Sequence, residues 1–187
     1  LSDILYSQKC ENGFVGTYPC NQVDLLAHIP TEQLGGASTN EIWGWTDPQD
    51  GAEYVILGLS TGVRFYSIEN PQNPLWLGSL PTHTVNSMWR TFRVANNFLF
   101  VGSEASNHGM QVFDLTRLRN VANPPQIFTE DAHYAGFAKC HTLEVNAETG
   151  YVYACGTNTY AGGLHIVNVQ NPLNPVIAGG YDVDGYT

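Results

Sequence analysis

Apolar and polar residues alternate with a period of two along most of this chain, the spacing of strands that bury one face. The clearest stretch, "GVRFYSIENPQNPLWLGS" (Gly62–Ser79), predicts two short strands around an Asn-Pro-x-Asn-Pro turn. The phrase returns as "GLHIVNVQNPLNPVIAGG" (Gly163–Gly180). A divergent third copy, "GMQVFDLTRLRNVANPPQIF" (Gly109–Phe128), lengthens the turn by "TRLRNVA". Proline fixes φ and asparagine hydrogen-bonds its own backbone, so these spacers predict tight turns. Between the copies lie "EIWGWTDPQDGAEYVILGLS", "WRTFRVANNFLFVGSE" and "LEVNAETGYVYACGTN", each two apolar runs around a hairpin signal. A helical turn is expected only within "VDLLAHIPTEQL" (Val23–Leu34).

The three opening glycines, Gly62, Gly109 and Gly163, are spaced 47 and 54 residues apart. That spacing suits the blade of a β-propeller, about 40–50 residues. The expected class is all-β, with blades of four antiparallel strands. A lead-in spans 1–35, and about three blades follow over approximately 36–82, 83–132 and 133–187. A ring needs about four to eight blades, so an incomplete ring is expected, continued elsewhere in a longer polypeptide or by another chain.

Composition narrows the function classes. With 43% apolar and 13% charged residues in 187, the chain can build a sizeable core. A net charge of -10 leaves no basic face for phosphates, which argues against nucleic acid. No apolar run is long enough to span a bilayer. Cys10 and Cys20 bracket "CENGFVGTYPC", a Gly-rich loop of the kind a disulfide closes in secreted proteins. A zinc knuckle would want closer spacing.

The stretches "PCNQVDLLAHIP", "NEIWGWTDPQDGAEYVILGLSTG", "SEASNHGMQVFDLTRLR", "FTEDAHYAGFAKCHTLEVNAETGYVYACGTNT" and "GGLHIVNVQNPLNP" resemble the choice-of-anchor B family. The resemblance runs over nearly the whole chain from Cys10. It implies an extracellular β-propeller of LVIVD-type repeats, with further blades and often a surface anchor beyond the equivalent of Thr187. It implies no known reaction. Against that pattern the chain adds Cys140 and Cys155, on neighbouring strands of one hairpin. They are expected to form a disulfide, the alternative being two independent packed thiols.

Candidate chemistry rests on histidines and acids. His83 ("PTHTVNSMWR") and His141 ("AKCHTLEV") precede the first strands of successive blades, whose starts converge on a propeller axis. Glu104, Asn107 and His108 form a second group, and Glu130, Asp131, His133 and His141 a third. Two readings stand: hydrogen-bonded ties between blades, or a metal site centred on His141 with help from His83, His133, His108 or the acids Glu104 and Asp131. The ion would be calcium or a transition metal. "DVDG" at 182–185 opens like a calcium loop but lacks its later acidic ligands, so a polar turn is expected. Trp43, Trp45, Trp76 and Trp89 are expected in blade packing, or, if exposed, as a platform for sugars. There is no GxSxG, P-loop or HExxH. The expected function is a secreted or cell-surface binding or structural module, non-catalytic, meeting a protein or glycan partner or further chains. The alternative is a metal-dependent enzyme with a His-lined site at the channel mouth.

Overall fold

A computed structural model describes residues 6–35 and 37–184. The chain is all-β, built round three antiparallel sheets laid in sequence order. The first comprises Thr39–Thr46, Glu53–Leu59, Gly62–Ser67 and Leu75–Pro81. The second comprises Arg90–Ala95, Phe98–Ser103, Met110–Asp114 and Ala132–Tyr134. The third comprises Thr142–Asn146, Tyr151–Cys155, Leu164–Asn168 and Val176–Tyr181. In both regular copies of the Asn-Pro phrase the first asparagine shapes the turn. Asn70 Oδ1 accepts from the Gln72 amide, and Asn171 Oδ1 from the Leu173 amide.

The second unit departs from the expected plan. Its returning strand is Ala132–Tyr134, so a unit boundary at 132/133 cuts through it. Gln126–Ile127, expected there, instead adds to the first sheet as a parallel fifth strand beside Gly78 and Ser79. Gly78 permits this, because a Cβ on it would lie 2.3 Å from the Gln126 carbonyl oxygen. The crossing carries Phe128 into the core between the first two sheets. The inserted "TRLRNVA" also forms a 3-10 turn at Leu115–Leu118 and delivers Arg119 to Asp47. The expected turn within Val23–Leu34 is likewise only partial, with a strand at Leu25–Ala27 and a 3-10 turn at Thr31–Leu34.

Alternation sorts side chains onto the two faces of each sheet, and the sheets stack through those faces. Tyr54, Ile56 and Phe65 of the first sheet pack against Phe92, Leu99 and Phe113 of the second. Phe100, Met110 and Val112 of the second pack against Leu143, Val152 and Val167 of the third. Two glycines let the sheets approach. A Cβ on Gly58 would lie 2.8 Å from the Phe92 ring, and one on Gly102 would lie 3.1 Å from Leu143. The lead-in covers the remaining face of the first sheet, where Leu34 packs with Leu59 and Tyr66 beside Ile29.

Asp47, fully buried, links the first two sheets by accepting from Arg119 Nε and Nη2 at 2.5 and 2.7 Å. The Arg119 hydrogen bonds hold its carboxyl below the ordinary value, against the opposing effect of burial. The unfolded chain therefore takes up the proton first as pH falls. The stabilisation is full above about pH 4, the unfolded value, and is lost as pH drops through the lower folded value. Asp47→Asn is expected to lower the melting temperature near neutrality and to flatten the acid limb below about pH 4. Parallel melting-temperature curves for the two proteins would show that the pair carries no such linkage.

Candidate functional site

The starts of the three first strands do converge. Asn40, Glu41, Arg90, Thr91, His141 and Thr142, with Trp89, line one depression of about 400 Å³. His83 is elsewhere, because its sheet's first strand begins only at Arg90 and leaves it on the preceding loop. It lines a separate hollow with Pro81, Thr82, Gln111 and Glu130. The expected meeting of His83 with His141 does not occur.

Instead, His83, Glu130 and His133 come together, each offering one ligand atom, all within 4.8 Å of one another. His83 Nδ1 lies 2.8 Å from Glu130 Oε1, which as acceptor places the proton on Nδ1. The His83 and His133 rings stack with centroids 3.7 Å apart and planes 9° from parallel. His133 Nε2–H donates to the His108 carbonyl oxygen at 2.7 Å, leaving Nδ1 with the lone pair. Glu130 Oε2 accepts from Gln111 Nε2 at 2.7 Å, and the same amide nitrogen donates to the Pro81 carbonyl at 3.0 Å. With both bonds fixing the amide nitrogen, Gln111 Oε1 is a buried acceptor with no partner among the described residues. Thr82 Oγ1 and Thr84 Oγ1, on either side of His83, are buried without partners too.

The other expected ligands are committed elsewhere. His108 is fully buried, with Nδ1–H donating to the Gly109 carbonyl and Nε2 accepting from Arg90 Nη1, both at 3.0 Å. Burial pushes its pKa down to about 4, so it is a neutral tie within the second sheet. Arg90 itself donates to the Leu59 carbonyl of the first sheet at 3.1 Å. Asp131 accepts from the Asp114 amide at 2.7 Å and from Arg117 Nη1 at 2.8 Å, bracing the second sheet. Glu104 pairs with His141, which lines the depression shared by the three first strands. Asn107 takes a turn conformation, φ 58°, and adds nothing to either histidine cluster among the described contacts. Glu130 was within the expected third group; Gln111 and Thr82 were not singled out, since a polar residue in an alternating strand is ordinary.

Cys10 and Cys20 form the expected disulfide. Cys140 and Cys155 do not; both are free thiols. Cys140 packs into the core against Gly102 of the second sheet, and its Sγ donates to the Thr142 carbonyl. Cys155 stands opposite Thr142, in register with the other face of the third sheet. Burial raises both thiols, Cys140 further. In "DVDG", Asp184 accepts from the Tyr181 hydroxyl, and Gly185 lies outside the described residues. Of the tryptophans, Trp45 is buried, Trp43 and Trp76 lie under Arg93 and Arg64, and Trp89 is exposed at the depression shared by the three first strands.

No protein-family model, curated protein or solved structure matches this chain. Among the described residues no helix is long and apolar enough to cross a membrane.

Proposed function

We propose that this chain is a non-catalytic binding or assembly module of the β-propeller kind, working outside the cell or at its surface. The observation that carries the reading is the repeated use of one face. The first sheet packs on the second, and the second on the third, through equivalent positions on their middle strands. The same face of the third sheet presents Tyr151, Tyr153, Leu164 and Ile166, half-buried, with Val176 and Tyr181 exposed beside them. None of these residues belongs to the apolar clusters among the described residues. A surface built like two buried interfaces suits a further sheet of the same kind, and we assign it to one, supplied by further blades of a longer polypeptide or, for the chain as given, by another chain. The resemblance to choice-of-anchor B proteins and the Cys10–Cys20 disulfide support an extracellular setting. The enzyme alternative has less support, because its expected centre at His83 and His141 is divided between two places.

Ile166→Arg tests the docking face. The protein is expected to form dimers or larger species by light scattering at tens of micromolar, about the range of modest interfaces. The variant is expected to stay monomeric with unchanged circular dichroism. A wild type that is monomeric throughout, with or without an added partner sheet, would remove the reading.

A further inference from the structure

The structure assigns to His83, Glu130 and His133 a binding site for one divalent transition-metal ion, Zn²⁺ or Cu²⁺. The residues come from a loop leaving the first sheet, from the segment before the last strand of the second, and from that strand. Two imidazoles and a carboxylate are a donor set for these ions, with remaining positions left to water. The ion takes the place of the proton between His83 Nδ1 and Glu130 Oε1, which moves to His83 Nε2, while His133 contributes Nδ1.

Three features separate this cluster from a chance meeting of surface groups. First, the ligands have fixed outer partners. The His108 carbonyl holds His133 Nε2–H, and Gln111, only 2% exposed, holds Glu130. Such outer contacts set the tautomer and aim the lone pair. Second, the backbone is shaped to admit them. Gly109 has φ 62°, and a Cβ there would fall 2.8 Å from His133 Nε2. Third, Gln111 and Thr82 line the same hollow as His83 and Glu130, and their Oε1 and Oγ1 are buried without partners among the described residues. Polar atoms buried without partners are costly, and an ion or water close by is one reason a native protein keeps them.

One adjustment is needed. Ligand lone pairs lie in the ring planes, so two rings stacked face to face cannot both point at one ion. His83, on an exposed loop, is the ring that splays, and His133, held by His108, stays.

The test is titration of chelator-treated protein with Zn²⁺ by calorimetry, repeated with Cu²⁺ by electron paramagnetic resonance. One ion per chain is expected, with nitrogen hyperfine structure from two imidazoles. His83→Ala should leave one nitrogen. His133→Ala and Glu130→Gln should weaken Zn²⁺ binding by about 100-fold or more, at or above the 10–100-fold known for outer-shell changes. His141→Ala should bind like the wild type. Circular dichroism and thermal melts check that each variant is folded, and Glu130→Gln, nearly isosteric, covers the case in which an alanine variant is not. The assignment is overturned by non-saturating binding, by unchanged affinity in folded Glu130→Gln or His133→Ala, or by equal loss in His141→Ala. Failure here leaves the docking-face proposal standing, since the two use different sheets and different readouts.

Discussion

Phe65→Ala is expected to destabilise the protein by about 3–5 kcal/mol, measured by denaturant unfolding. Phe65 is fully buried in the middle of the interface between the first two sheets. Its ring stacks on Phe113 with centroids 4.8 Å apart and meets Phe128 edge-on at 5.8 Å. Phe128 reaches that position only because its segment crosses to the first sheet. Truncation thus removes an aromatic cluster that joins three separate parts of the chain. The surrounding strands are paired on both sides and cannot collapse into the space, so the cavity adds to the lost transfer free energy. A loss under about 1 kcal/mol would mean that the two sheets do not share a packed core.

Gly62→Ala is expected to cost about 4 kcal/mol, the size seen when a substitution meets backbone that cannot yield. Gly62 opens the first of the repeated phrases and has φ +144°. A Cβ there would lie 2.2 Å from the Leu80 carbonyl oxygen and 2.9 Å from Pro81 Cα and Thr82 N. These are backbone atoms of the adjoining strand and of the turn leading to His83. Gly163 is the matching glycine of the third unit, but its φ is −68°, free of left-handed strain. Gly163→Ala should therefore cost much less. Equal losses at the two sites would show that the close approach at Gly62 is not what demands glycine.

The hairpins, the Asn-Pro turns and the order of the three sheets were legible because each follows from local chemistry: alternation, a fixed φ, and asparagine bonding its own backbone. What depended on distant partners was not. Nothing in "NPPQIF" shows that Gln126–Ile127 joins the first sheet, beside a strand about fifty residues earlier; that follows from the missing Cβ at Gly78. Nor does the Arg119–Asp47 pair have any local signal, its members standing 72 positions apart. Cys140 and Cys155 were close in sequence and on adjoining segments, yet which face each takes depends on where the strand begins. With Thr142 as its first residue, the two thiols fall on opposite sides. The histidines failed similarly. Their types were informative, but His83 lies seven residues before its strand, far enough to miss the depression where His141 sits and meet His133.

The glycines that let the sheets nest, Gly58 and Gly102, have Cys155 as their counterpart on the third sheet. A sheet arriving on that face must stand farther off or bring its own recess, so the sulfur acts as a gauge of which partners fit. It also offers a handle. A small thiol-specific dye at Cys155 would change its emission as the surface closes, reporting assembly in real time, while buried Cys140 stays unlabelled in the folded protein.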